Sequence, residues 1–211
     1  MKKIKVQDIR NHYSHLKKMW KKISPNDYQK VNSRLINSIE AINLEKNTVN
    51  LNVLDIGSNA GLISIVAAQK FNFVNGVERY TSYHKKAILS KRYFNKKGYK
   101  INNVKFFNME FIDYIKNGYH KENGINAVVG FQVLYHLNNK DISALEKVLT
   151  NSNLAIFGTK KSRGRSNNSL DLRNIKTVKK FLQKNGFLKI AVLNRTSNYS
   201  TVIGWKFKVV S

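Results

Sequence analysis

"VLDIGSNAG", residues Val53 to Gly61, is the stretch whose reading decides the fold. Val53, Leu54 and Ile56 form an apolar run interrupted by Asp55, after which Gly57 and Gly61 bracket the polar Ser58 and Asn59. Such a run reads as a buried strand that leaves through a tight turn into a helix starting near Leu62. Small residues in that turn let the backbone come close to a ligand. The dinucleotide fingerprint G-x-G-x-x-G is not what is written, so a pyrophosphate cradle is not implied. A strand-to-helix turn without a ligand would account for two glycines alone. The next strand-like run, "FNFVNGVE", closes on Glu78 about twenty residues further on, where an acid commonly takes both hydroxyls of a ribose. The two matched strand ends favour a nucleoside-bearing ligand.

The remaining chain supplies the setting. Its 211 residues are enough for one main domain with a helical appendage, and 42% hydrophobic residues with 11 Phe, 10 Tyr and 2 Trp describe a folded globule. Lys and Arg number 38 against 12 Asp and Glu, a formal charge of +26. An AT-rich coding bias explains abundant Lys, Asn and Ile but not the scarcity of acids, whose codons are also A-rich. The charge therefore points to a polyanion, with nucleic acid as the expected partner. Cysteine is absent, which excludes disulfides, thiolate zinc sites, iron–sulfur clusters and a cysteine nucleophile. The five histidines and few acids show no metal-ligand spacing, and no metal is expected. "MKKIKVQDIRNHYSH" lacks the apolar run of a secretory signal and no stretch approaches membrane-spanning length, so a cytoplasmic protein without a membrane partner is expected. Oligomeric state is left open.

Residues 1–46 read as a helical extension. Ile9, Tyr13, Leu16, Trp20 and Ile23 recur every three or four residues, with Lys17, Lys18, Lys21 and Lys22 off that stripe. Ser24 then reads as an N-cap with Pro25 at the first helical position, and Val31, Leu35, Ile39 and Ile42 share one face of the second helix. Residues 47–211 read as a single domain of alternating strands and helices, a mostly parallel sheet with helices on both faces. Its strands are "LNVLDIG", "FNFVNGVE", "NVKFFNM", "NAVVGFQ" and "NLAIFGT". A helix capped by Asn174 and stopped by Gly186 follows, then "LKIAVLNRT" and "TVIGWKFKVV" close the sheet as an antiparallel hairpin through "SNYS". In the last strand Trp205, Phe207 and Val209 share one face.

"VLDIGSNAGLIS" with "GVERY" resembles the cofactor signature of class I S-adenosylmethionine-dependent methyltransferases, in which an acid stands two residues before one glycine and a second glycine follows four residues later. The resemblance spans about residues 49–210 and implies a Rossmann-like α/β fold of seven strands with an antiparallel terminal hairpin. Carried over by position, it assigns cofactor binding to Asp55, Gly57, Ser58, Asn59 and Gly61, to Glu78 and Arg79, and to Asn108, Met109 and Glu110 after the third strand. Gln132, after the fourth strand, falls closest to the methyl-transfer position. The "VLYHL" segment behind it offers Tyr135 and His136 as catalytic candidates with Gln132, and His84 is a further possible base. His136 also has the plainer reading of a packing or helix-start residue.

Gly130-Phe131-Gln132-Val133 departs from the Asn/Asp-Pro-Pro-aromatic signature of enzymes that methylate base amines, and the same Gln132 argues against the Lys-Asp-Lys-Glu arrangement of ribose 2′-O-methyltransferases. The missing cysteine argues against pyrimidine-C5 transfer. "TKKSRGRSNNSLDLR" should emerge on the active rim, where Lys160, Lys161, Arg163 and Arg165 suit phosphate contacts. "VLYHL", this basic segment and "FLQKNGF" also resemble the tRNA wobble-uridine carboxymethylating branch. The expectation is a methyltransferase using S-adenosylmethionine on RNA, either tRNA or rRNA. Its alternatives are a small-molecule methyltransferase with a helical lid and a noncatalytic nucleic-acid-binding protein of the same fold.

Overall fold

The structure, a computed structural model, describes residues 3–19, 25–46, 48–131, 133–160, 172–196 and 199–206. Two helices, α1 (Val6–Met19) and α2 (Pro25–Leu44), precede β1 (Asn52–Ile56), α3 (Leu62–Ala67), β2 (Phe73–Val77), α4 (Thr81–Lys96) and β3 (Val104–Phe107). The chain continues through α5 (Phe111–Lys116), α6 (Tyr119–Glu122), β4 (Ala127–Phe131), a 3₁₀ turn (Leu134–His136), α7 (Asn139–Thr150) and β5 (Leu154–Lys160). It ends with α8 (Ile175–Lys184), β6 (Lys189–Thr196) and β7 (Tyr199–Trp205). Trp20, Ile23, Ser24, Phe207 and Val209 lie outside the described residues, as do the side chains of Tyr13, Leu16 and Val31.

The seven strands form one sheet in the order β3-β2-β1-β4-β5-β7-β6, parallel except for β7, which is antiparallel to both β5 and β6. Parallel strands covered on both faces need apolar side chains in both directions, so they read as continuous hydrophobic runs. On one face Leu54, Ile56, Val128 and Phe157 pack with Tyr114, Leu145 and Leu182 of α5, α7 and α8. On the other, Val53, Val74, Val129 and Ile156 pack with Ile65, Val66 and Phe94 of α3 and α4. Asn174 caps α8 by accepting the Lys176 amide at 2.9 Å, and Gly186 beyond its end adopts φ +83°. The hairpin between β6 and β7 is tighter than "SNYS" suggested, because Tyr199 and Ser200 already pair with Lys160 and Thr159 of β5.

The N-terminal helices share the second core: Ile4, Ile9, Ile39, Ala41 and Ile42 are buried with the α3 and sheet residues. They are pinned at the amino-terminal edge of the sheet. The Ile4 amide donates to the Gln69 side chain at 2.7 Å. Lys70 Nζ donates to the terminal α2 carbonyls of Ile42 and Asn43, at 3.0 and 2.7 Å, and to that of Glu45. A helix leaves its last carbonyls without internal partners, and the lysine supplies them. Trp205 Nε1 donates to the Glu45 carboxylate at 2.8 Å, closing the same corner. Further along α1, the buried His12 ring lies 4.3 Å from Tyr93 with Nε2 2.9 Å from Ser90 Oγ, which ties α1 to α4. Among the described residues no helix is long and apolar enough to cross a membrane.

Candidate functional site

The chain leaves β1 toward β2 and β3 on one side and later returns through β4 on the other, which makes the carboxyl ends of β1 and β4 the switch point where open sheets collect ligands. Gly57 stands there at φ +68°, and its amide and that of Ser58 both donate to the Val77 carbonyl at 3.0 Å. A Cβ at Gly57 would meet Val133 Cγ2 at 3.0 Å, so the turn is closed against the exit of β4. Gly61, at φ +74°, has no space at all: a Cβ would lie 2.6 Å from Phe106 Cζ and 2.8 Å from Ala87 Cβ. Between them Asn59 takes the left-handed conformation at φ +50°, which asparagine tolerates better than most residues because its side chain bonds locally. Its Oδ1 accepts the Ala60 amide at 2.7 Å.

Glu78 completes the turn. Its carboxylate, only 6% exposed, accepts the Asn59 amide on Oε2 and the Tyr80 amide on Oε1, both at 2.9 Å. A carboxylate offers about four acceptor positions, so about two remain for a ligand's hydroxyls. Directly before the turn Asp55 is 2% exposed and accepts the Ser64 hydroxyl at 2.6 Å. Burial pushes its carboxyl up to about 7, against the Ser64 hydroxyl and amide, which favour the ionised form, and with the help of the Glu78 charge. The Ser58 hydroxyl is buried and has no hydrogen-bond partner among the described residues, an orphan in the loop between the two glycines.

The next strand end is organised by Asn108. Its Nδ2 donates to the Glu78 and Arg79 carbonyls at 3.0 Å each, and its Oδ1 accepts Thr81 Oγ1 at 2.8 Å. The amide therefore holds the segment that carries Glu78. Met109 is half-buried against the core, while Glu110 is exposed and pairs with Arg79 at 3.8 Å, an arrangement that water screens. Arg79 also donates to the Tyr80 hydroxyl at 2.7 Å, its guanidinium 4.6 Å from that ring's centroid.

Behind β4 the Tyr135 and His136 rings are 4.3 Å apart on the 3₁₀ turn. The His136 imidazole, exposed on that turn, is held below its ordinary range first by desolvation and then by the Arg79 charge. His84 lies in the first turn of α4. It is half-buried on α4 with Nε2 3.4 Å from the Phe106 carbonyl of the edge strand β3. Lys160 ends β5 opposite Tyr199, and its side chain lies outside the description, as do Gln132, Lys161, Arg163 and Arg165. Ser64 and Tyr80 escaped the sequence reading. A polar residue inside the apolar "LISIVA" and a tyrosine right after the acid's arginine were the available signals. Among the described residues no group of three or more His, Asp or Glu could hold a metal.

No family model matches the chain. Over 95 residues, 45% of this chain, it is 36% identical to an uncharacterized RNA methyltransferase of Mycoplasma mobile. The match spans 25% of that protein's length, so the chain aligns with about a quarter of this curated relative. Among solved structures, magnesium protoporphyrin IX methyltransferase from Synechocystis PCC 6803 with bound S-adenosylmethionine superposes with a TM-score of 0.63 at 14% identity, covering 96% of this chain and 97% of that one. A methyltransferase of Aquifex aeolicus, described as S-adenosylmethionine-dependent, gives 0.57 at 15% identity over 88% of this chain and 100% of its own. The methyltransferase domain of bacterial CtHen1-C gives 0.56 at 16% identity over 82% of this chain and 96% of that one. The fold is that of the class I S-adenosylmethionine-dependent methyltransferases.

Proposed function

We propose that the chain is an S-adenosylmethionine-dependent methyltransferase whose acceptor is RNA. The observation that carries the first half is the tie between the glycine turn and Glu78: one carboxylate at the end of β2 holds the left-handed Asn59 of the β1 turn and keeps acceptor capacity for a ribose. The orphan Ser58 hydroxyl and the buried Asp55 fit a polar, cationic ligand tail beside them. The RNA half is supported by the charge of +26 and by the RNA methyltransferase similarity of the Mycoplasma mobile protein.

S-adenosylmethionine, when bound, supplies an activated methyl on a cationic sulfur. The protein's own residues then have mainly positional work. Glu78 would fix the ribose, and the Gly57–Gly61 backbone would let the ligand lie close to the strand ends. Asp55, ionised when a cation lies near, would complement its charge. Alignment of donor and acceptor with water excluded contributes about 7–11 kcal/mol when the geometry is good. Tyr135 and His136, on the turn that follows β4, would face the entering acceptor. A His136 whose pKa is lowered is neutral near pH 7 and can take up a proton from the acceptor.

Calorimetry with S-adenosylhomocysteine tests the cofactor. Glu78→Ala should weaken binding on the order of ten- to a hundredfold through the loss of one or two charged hydrogen bonds. An unchanged affinity removes Glu78 from the site. Radiolabelled cofactor offered with separate RNA, DNA, protein and metabolite pools tests the acceptor, and label in RNA is expected. The second reading is a small-molecule acceptor, favoured by superposition over nearly the whole chain with the porphyrin-modifying enzyme. Label confined to the metabolite pool would establish it.

A further inference from the structure

The Tyr80 amide is held by Glu78, but the Tyr80 ring and the exposed line of α4 that follows it make none of the hydrogen bonds of the glycine turn. Tyr80 is 53% exposed, with Arg79 against one side of its ring. Tyr83, one helical turn on, meets it edge-to-face at 6.1 Å between centroids and carries Lys86 4.6 Å from its own. Two tyrosines, each with a cation at its ring, therefore lie side by side on the rim where the ribose acid ends β2.

The helix continues this character. Its 16 residues, "TSYHKKAILSKRYFNK", contain five Lys or Arg and no acid. Lys91 is used inwardly, donating to the Val104 carbonyl at 2.7 Å. Lys85, Leu89, Arg92 and Lys96 follow one another at spacings of four, three and four, which places them on one line of the helix, and all four are exposed. At about 1.5 Å per residue α4 spans about 24 Å, so the line leads from the carboxyl rim toward the opposite edge of the sheet. A solvated helix face would ordinarily mix both signs of charge, because acids beside lysines stabilise it.

We infer that Tyr80 and Tyr83 with the Lys85–Arg92–Lys96 line form a track for single-stranded RNA, with a base on the tyrosines and phosphates along α4. The inference rests on RNA being the acceptor. Exposed aromatic faces take any base, and cations beside them take the backbone, which is how single strands are held without reading sequence. A duplex keeps its bases stacked inside and offers the tyrosines nothing. The track begins next to Arg79 and to Glu78, whose carboxylate also holds the β1 turn, so a strand lying on it would be delivered to the same rim as that turn.

The test uses the full chain and a fluorescently labelled single-stranded RNA of mixed sequence, read by anisotropy across a salt series. The triple variant Lys85→Gln, Arg92→Gln, Lys96→Gln should bind on the order of tenfold more weakly or worse at 0.1 M salt, with a log–log salt slope shallower by about 2. Tyr80→Ala should lose about fivefold or more, and Tyr80→Phe should keep most of the affinity because the ring face remains. Melting temperature and S-adenosylhomocysteine affinity should stay as in the parent for the triple variant, which separates docking from folding and from the cofactor site. The track is overturned if the parent methylates and binds RNA while the triple variant binds it with the same affinity and slope; the RNA acceptor then stands. A parent that labels no RNA overturns both. Loss of affinity for a glutamate-rich peptide instead of RNA would make α4 a protein-docking face and would equally overturn the track.

Discussion

Asp55→Asn should make this protein more stable, and by an amount that depends on pH. Asp55 is 2% exposed, and its carboxyl is raised from 3.8 to about 7, mainly by burial. Between those values the unfolded chain is ionised at this residue while the folded chain still holds the proton. Folding therefore takes up a proton, and stability falls as pH rises from about 4 through 7. At about 1.4 kcal/mol per pH unit, the ionised residue costs the native state about 4 kcal/mol above pH 7. Asparagine has the shape of the neutral acid, keeps an oxygen for the Ser64 hydroxyl and never ionises.

Melting followed by circular dichroism, without cofactor, should place the variant above the parent at pH 8.5 by about 8–16 °C if the whole cost is recovered, taking about 2–4 °C per kcal/mol for a chain of this size. At pH 4 the gap should close. Self-repulsion from the excess of cations acts on both proteins alike and cancels in the difference. Ser64→Ala provides the opposite control: without the hydroxyl donor to the carboxylate, the variant should be less stable than the parent at pH 8.5 by about 1–3 kcal/mol and nearly unaffected at pH 4. A gap of equal size at both pH values, or an Asp55→Asn variant less stable than the parent at pH 8.5, would refute the assignment of a buried, ionising Asp55.

Gly61→Ala should destabilise by about 2–4 kcal/mol, combining left-handed backbone strain with overpacking against Phe106 and Ala87, and denaturant unfolding reads it directly. Lys70→Ala leaves the α2 carbonyls of Ile42 and Asn43, and that of Glu45 just beyond the helix, without their donor; a loss of about 2 kcal/mol is expected, with faster hydrogen exchange in α1 and α2 than in the sheet. His136 should titrate below the ordinary 6.5 by nuclear magnetic resonance, and Arg79→Ala should move it upward only part of the way, because burial is the larger cause. If His136 accepts the proton in catalysis, the rate should rise with a midpoint below 6.5 and be flat through pH 7–8. A rate that climbs only above pH 7 would exclude that role.

What could be read from the chain follows from which constraints are local. Strands buried on both faces announce themselves as apolar runs. Asn174, Gly186, Gly57 and Gly61 state their backbone geometry in their side chains or lack of them. The α1 and α2 stripes showed that one face is buried, but not against what. The answer, α3 and the sheet, depends on contacts such as Lys70 with the α2 carbonyls, which have no signature near α2 itself. The hairpin's turn is shorter than "SNYS" suggests for the same reason: Tyr199 and Ser200 look like turn residues, and pairing with β5 and β6 makes them strand.

At the site the divide lies between position and state. Motif spacing located Asp55 and Glu78, yet the raised carboxyl of one comes from burial, which the Ser64 hydroxyl opposes, and the two amides on the other belong to Asn59 and Tyr80. Asn108 was assigned toward a cofactor by position, whereas all of its described hydrogen bonds go to the Glu78–Thr81 segment. The residues that would bind the ligand are thus also the ones that shape the turn. Glu78→Ala therefore disturbs Asn59 as well as a ribose. Only a variant that keeps one amide bond, Glu78→Gln, can show how much of any lost affinity belongs to the hydroxyls and how much to the left-handed turn.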